Sequence, residues 1–273
     1  MDFDRELIYR EVIRRLEAMG IVQDASGAAR GQAVELPQSA DYEKIIENMK
    51  KKTSARIGVG KAGPRLRTGT LLKLRLDHAA ARDSVFFDVD QGLLDKMGLF
   101  AIQTLCESRD QFLTRPDLGA QFSPEALLEI DNRCVKNTDV QIYASDGLSS
   151  RAIEANLPNI LPALMEGLHA RGISTGTPFF VKFGRVASMD VLAEVLQCKV
   201  ICVLIGERPG LATAESMSAY FAYKPYVGMP ESGRTVISNI HSGGTPAVEA
   251  GAYLAELLEK SLKQEASGVA LKK

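Results

Sequence analysis

The chain has 273 residues, which at about 150 residues per domain points to two domains. Hydrophobic residues make up 45% and charged residues 25%, the balance of an ordinary globular protein, which excludes a disordered chain, a collagen-like chain and a coiled-coil rod. Lys plus Arg total 33 against 34 Asp plus Glu, a net charge of −1, so the global positive excess usual in nucleic-acid-binding chains is missing.

Cys106, Cys134, Cys198 and Cys202 form no C-x-x-C pair and no disulfide framework for a chain this long. Free thiols in a reducing cytoplasm are expected. The longest apolar run, Val200 to Ile205, is far short of the roughly 18 residues that span a bilayer. The start, Met1-Asp-Phe-Asp-Arg-Glu, lacks the apolar core of a secretory signal. A soluble intracellular protein with no membrane partner is expected.

In the first twenty residues Ile8, Val12, Leu16 and Met19 recur at helical spacing, widened by Leu7, and Gly20 is a stop signal. Gln23 to Ala40 is rich in Ala, Gly, Ser and Gln and reads as a linker. So short a helix is marginal alone. It either folds back on the body or docks on a partner or shell protein. Residues 41–115 read as mainly helical, with patterns over Asp41–Lys52, Thr70–Arg82 and Gln91–Met97. Residues 86–89 and 100–106 are ambiguous.

From residue 116 strand and helix patterns alternate. Ser123-Pro124-Glu125 is a helix start, with a cap, a first-turn proline and an acid at the positive end of the dipole. Strands are expected at Val140–Ala144, Pro178–Phe183, Lys199–Ile205, Tyr220–Tyr223 and Arg234–Ser238. Helices are expected after Ser150 to about Asn156, over Pro158–Arg171, from about Met189, and over Ala247–Leu262. This is an α/β pattern: a mostly parallel sheet with helices on its faces, preceded by a mainly helical region.

The loops Ser145–Ser150, Gly184–Val186, Gly206–Gly210 and Ser238–Pro246 each follow a strand. They should meet at the edge where open α/β sheets bind ligands. They carry Gly for close backbone approach, together with Asp146, Glu207, Arg208 and His241. Gly58-Val-Gly60-Lys-Ala-Gly63 spells G-x-G-x-x-G, but Pro64 follows in place of a helix and no buried strand clearly precedes it. The cluster Arg56, Lys61, Arg65, Arg67, Lys73 and Arg75 has no interleaved aromatic to stack bases and reads as a solvated or interface face. No zinc-like cluster of His, Cys and carboxylates and no G-x-S-x-G elbow is present. Asn239-Ile-His241-Ser-Gly-Gly244 differs at one position from D-x-H-x-x-G, in which histidine replaces the lower base of cobalamin; the orienting carboxylate is missing here.

Several strings, in order from about residue 50 to the C-terminus, carry a resemblance. They are Ala55–Thr68 (ARIGVGKAGPRLRT), Leu76–Asp83 (LDHAAARD), Leu113–Gly119 (LTRPDLG), Ser145–Ser149 (SDGLS), Thr177–Lys182 (TPFFVK), Gly206–Leu211 (GERPGL) and Ser238–Pro246 (SNIHSGGTP). The chain resembles the small (light) subunit of ethanolamine ammonia-lyase. The resemblance implies an adenosylcobalamin-dependent lyase that turns ethanolamine into acetaldehyde and ammonia by a radical route, active with a large barrel subunit. It implies that residues 116–273 form a Rossmann-like cobalamin-binding domain and that residues 41–115 form a helical domain, with residues 1–40 a helix and linker. Catalytic residues then lie in the large subunit, since the cofactor carries the hard chemistry. Carried over by position, the cobalamin contacts fall on Val186, Glu207 and Val236. The family can show Cys at the last of these, so a backbone contact is expected there. The cofactor would stay base-on, and no protein ligand to the metal is expected. The N-terminal helix resembles extensions that route such enzymes into bacterial microcompartments; oligomer packing is its other reading. Two other functions fit the pattern: a stand-alone cobalamin carrier, and a nucleotide-dependent α/β enzyme using Gly58–Gly63.

Overall fold

The computed structural model describes residues 39–53 and 55–272, together with Arg14. Arg14 apart, the helix expected in the first twenty residues lies outside the described residues, as does the expected linker up to residue 38. Packing divides the chain into two units, Met1–Gly58 and Val59–Lys273. The first unit contains α1 (Ser39–Lys50). Gly58 closes it at φ +62°, where a Cβ would run into Ile46.

The second unit opens with a small antiparallel hairpin, β1 (Lys61–Ala62) and β2 (Arg65–Leu66). The G-x-G-x-x-G string is therefore a turn-forming sequence, with Gly63 at φ +59° in the turn. Next come α2 (Thr68–Phe86), α3 (Gln91–Lys96), β3 (Phe100–Gln103) and α4 (Arg109–Thr114). β3 falls in the stretch read as mainly helical, yet it is an edge strand of the main sheet. At four residues, with only Ile102 buried, it carries too little alternation to be read from sequence.

The remaining elements are α5 (Pro124–Arg133), β4 (Val140–Ser145), α6 (Ser150–His169), β5 (Phe179–Lys182), α7 (Ser188–Leu196), β6 (Val200–Gly206), β7 (Met217–Tyr223), β8 (Thr235–Ile240) and α8 (Ala247–Gln264). Ser123 caps α5 as expected, its Oγ accepting from the Ala126 N–H at 3.2 Å. The two helices expected around Pro158 are one helix. Pro158 and Pro162 lie inside α6, both on its exposed face. The carbonyls they leave free lie on that solvent side, where water can satisfy them. Ile153, Leu157, Ile160 and Leu164 on the opposite face are fully buried and hold the helix straight through.

The six strands run in the order β3-β5-β4-β6-β7-β8. The first four are mutually parallel. β7 and β8 add antiparallel pairs at one side, which makes the sheet mixed but mostly parallel. Side chains alternate between two cores, as period two requires. Val200, Cys202 and Leu204 of β6 pack with α6 and α8. Ile201, Val203 and Ile205 pack on the other face with α5 and α7.

The chain runs from β4 through α6 to β5, then crosses back over β4 through α7 to reach β6. The direction of winding reverses there, and the crevice at the carboxyl ends of β4 and β6 is the fold's natural ligand position. Because β8 points the same way as β6, the loops after β3, β4, β5, β6 and β8 all open at this edge.

Three outcomes test this packing. α6 and α8 touch through small residues: a Cβ on Gly251 would lie 2.8 Å from the Ile160 carbonyl oxygen and 3.0 Å from the Ala163 Cβ. Gly251→Val should cost about 1–3 kcal/mol through overpacking, seen as a lower urea midpoint with unchanged slope. All four cysteines are buried and free. Burial pushes the Cys134 thiol to about 11 and the Cys198 and Cys202 thiols to about 12. Mass spectrometry after native iodoacetamide treatment at pH 8 should show these three unmodified, and full labelling should appear only after denaturation. At the opposite edge of the sheet, Asp139 accepts from Lys199 Nζ at 2.8 Å and from the Ser174 hydroxyl at 2.6 Å. Lys199 first, then Ser174, holds its carboxyl down to about 2. A depressed folded pKa gives stability that is full above the usual carboxylate value and lost as pH falls through about 2. Asp139→Asn should therefore lower the thermal midpoint at pH 6, and the gap from the parent chain should close on acidification toward pH 2.

Candidate functional site

At the switch point lies an open cavity of about 220 Å³. Gly147 and Leu148 enter it from the loop after β4, Gly184, Arg185 and Val186 from the loop after β5, and Ile205 to Arg208 from the end of β6. Ser218 and Tyr220 of β7 and Phe112 of α4 complete the lining.

The loops meet closely because their glycines allow it. A Cβ on Gly147, at φ +51°, would lie 2.5 Å from the Gly206 carbonyl oxygen. A Cβ on Gly206 would lie 2.5 Å from the Asp146 carbonyl oxygen and would overlap that of Ser149. A side chain at either position would force the two loops apart.

Asp146 lies beneath the cavity lining and is 1% exposed. It accepts from the Arg109 Nη2 at 2.8 Å and from the Phe183 N–H at 2.8 Å. Burial pushes its carboxyl upward, against the pull of Arg109. Arg109 also donates to the Gly147 carbonyl at 3.1 Å, and its guanidinium carbon lies 4.6 Å from the centre of the Phe183 ring. Asp146 thus lies beneath the cavity as a strut, tying the ends of β4 and β5 to α4. Sequence reasoning missed Arg109. Its only local signal was Ser108, whose Oγ accepts from the Gln111 N–H at 3.3 Å as the cap of α4.

Val186 lines the cavity and packs against the α5/α7 core. Its carbonyl accepts from the Met189 N–H at 3.2 Å to open α7, while its own N–H has no partner among the described residues. The side chain and the N–H are what it can offer a ligand.

Glu207 lines the same cavity, and its carboxylate is already well held. Oε1 accepts from the Ser218 hydroxyl at 2.5 Å and from the Asn239 N–H at 3.0 Å; Oε2 accepts from the Ser216 hydroxyl at 2.6 Å. With about two acceptor positions on each oxygen, one at Oε2 stays open. The residue fastens the ends of β6, β7 and β8 together and keeps one acceptor for a ligand.

Val236 is not part of the cavity wall. It lies on β8 opposite Tyr220, so the two side chains share a face of the sheet. At 45% exposure it extends the rim outward from Tyr220, on the side that α5 and α7 leave uncovered.

The loop after β8 is held by its own bonds. Between Ala219↔Ile237 and Met217↔Ile240 the register shifts, and Asn239 takes φ +62°. The Thr245 N–H donates to the Asn239 carbonyl at 3.0 Å. His241 Nδ1 accepts from the Gly243 N–H at 3.0 Å, which makes Nε2 the protonated nitrogen, donating to Asn239 Oδ1 at 2.9 Å. Both imidazole nitrogens are thereby engaged. Among the described residues no cluster of three or more His, Cys, Asp or Glu could hold a metal ion, and no helix is long and apolar enough to cross a membrane.

The chemistry on offer is mixed: an unpaired backbone N–H, a remaining carboxylate acceptor, hydroxyls and two cations around an apolar floor. Such a set suits a ligand bearing many neutral carboxamides, each of which both donates and accepts.

The family model described as ethanolamine ammonia-lyase light chain (EutC) matches residues 43–272. The chain is 63% identical over 224 residues to the ethanolamine ammonia-lyase small subunit of Clostridium tetani, covering 82% of this chain and 76% of that one. It is 51% identical over 253 residues to the protein of that name from Fusobacterium nucleatum (93% and 85% covered). It is 48% identical over 263 residues to that of Listeria monocytogenes serovar 1/2a (96% and 89% covered). With a family match across most of its length, and a cavity formed where the matching loops converge, this chain belongs to the ethanolamine ammonia-lyase light chain family.

Proposed function

We propose that this chain is the small subunit of an adenosylcobalamin-dependent ethanolamine ammonia-lyase, releasing acetaldehyde and ammonia from ethanolamine, and that its β4/β6 edge holds the cofactor against a large subunit. The observation that carries the reading is the cavity at the switch point. It is walled in part by two of the resembling strings, Ser145–Ser149 and Gly206–Leu211, and its donors and acceptors match the carboxamide fringe of a corrin. When bound, adenosylcobalamin supplies the radical that starts rearrangement of the substrate. This chain's residues bind and orient. Val186 gives apolar contact and its free N–H. Glu207 gives the open acceptor at Oε2. Tyr220 and Val236 extend the shelf. His241, with both nitrogens engaged, would offer no free nitrogen to a metal.

Size explains the need for a second chain. Pockets of about 300–1,000 Å³ are needed to enclose even a drug-sized ligand. At about 220 Å³ this cavity takes only part of a corrinoid, and the rest must be covered from outside. The substrate site belongs to that covering subunit. We place the complex in the cytoplasm, with the N-terminal segment as its address for a microcompartment shell.

Co-expression with the large subunit, followed by assay of acetaldehyde release, tests the reading. Activity should require both chains and adenosylcobalamin; a complex that turns over ethanolamine without the cofactor would overturn it. Glu207→Ala frees three donors and removes the open acceptor, so cobalamin retention by the complex should fall roughly tenfold or more. Glu207→Gln, which keeps the acceptor oxygen, should fall between the two in equilibrium dialysis.

A further inference from the structure

Arg185 is the part-buried cation of the cavity, and it makes no ion pair among the described residues. Its guanidinium carbon sits 4.0 Å from the centre of the Phe112 ring, and Nη2 donates to the Phe112 carbonyl at 2.6 Å. Among the described residues, Nε is buried with no partner and Nη1 makes no hydrogen bond. Burial pulls its pKa down, with Arg109 adding to the effect. The contact at Gly119 keeps the side chain in place: a Cβ there would lie 2.7 Å from the Arg185 Cγ. A rigid, partly desolvated cation is costly unless something negative meets it.

A second observation points the same way. Arg185 lies two residues before Ala187, the N-cap of α7, which has no side-chain cap. The N–H groups of Val186 and Ala187 lack partners, whereas the carbonyls of Arg185, Val186 and Ala187 are taken by the first turn of the helix. Free N–H groups, the positive end of a helix dipole and an unpaired arginine at one point form a site for an anion.

We propose that Arg185, with the N–H groups opening α7, binds the phosphodiester of the cofactor's nucleotide tail. This rests on the cobalamin reading and deepens it. Among the groups of that ligand, the phosphodiester carries the full negative charge, and a planar guanidinium fork is suited to phosphate oxygens. The carboxamides are then left to Glu207, with the Val186 side chain giving apolar contact, and the tail is anchored at the β5–α7 turn.

The test compares two probes on the purified complex with the large subunit: cobalamin, and cobinamide, which has the ring without the nucleotide and its phosphate. Arg185→Gln should weaken cobalamin binding about 10–100-fold and leave cobinamide binding unchanged. Arg185→Lys, which keeps the charge but loses the fork, should recover part of the loss. Arg208→Gln, which removes the exposed cation on the same rim, should cost less. Equal weakening of both probes would overturn the assignment in favour of a ring contact, and so would a larger loss at Arg208. A thermal shift from inorganic phosphate alone equal to that from cobalamin would assign the cation to free phosphate and also overturn it. If the parent complex binds neither corrinoid, the cobalamin reading itself falls. If it binds both probes equally well, only the phosphate assignment falls.

Discussion

The structure depends on one topological constraint: the chain returns across β4. All six residues of β4 are buried, because β5 and β6 flank it and helices cover both its faces. Parallel neighbours on both sides require crossovers, and crossovers of one hand in opposite directions must use opposite faces. α6 therefore lies on one face and α7 on the other, and their approach loops diverge above the end of β4. The cavity at this edge is the space that divergence leaves.

Keeping the space open needs rigid walls, and polar groups supply them at a cost the fold offsets locally. Asp146 is buried, but Arg109 and the Phe183 N–H surround it. Arg109 in turn lies against two stacked aromatic rings, Phe112 and Phe183. Breaking such a pair leaves an uncompensated charge inside the protein, which is why buried pairs act more as fasteners than as sources of net stability. Glu207 does the same on the β7/β8 side through two hydroxyls and one backbone N–H. The site's two carboxylates are thus spent mainly on geometry. That arrangement suits the ligand-holding role proposed above.

Much of this was legible in the sequence because the pattern there is strong. β6 reads as a continuous apolar run since both of its faces are covered. Ser123-Pro124-Glu125 predicts the start of α5, and the glycine-rich loops mark the binding edge. Other parts were not legible, each for a physical reason. Pro158 and Pro162 look like helix breaks, yet both lie on the solvent side of α6, where tertiary packing outweighs local propensity. β3 is too short to show a period. Arg109 reaches Asp146 across 37 positions of sequence, and no local spacing encodes that contact. Glu207 was legible as a candidate residue through family resemblance, but its three internal donors come from the start of β7 and the end of β8 and emerge only from the folded sheet.

The electrostatics of the edge then bear on how a two-chain enzyme closes. In the open cavity Arg208 faces water and its charge is well screened, while Arg185 is already partly desolvated. A second protein surface laid over the edge removes that water and lowers the local dielectric. Each unpaired cation becomes harder to bury, while each cation–anion contact grows stronger. Closure is therefore unfavourable over an empty cavity and favourable once a ligand of opposite charge is in place. On the cofactor-holding reading proposed above, the same few side chains would couple the fit of the ligand to the fit of a covering subunit, with no moving lid required.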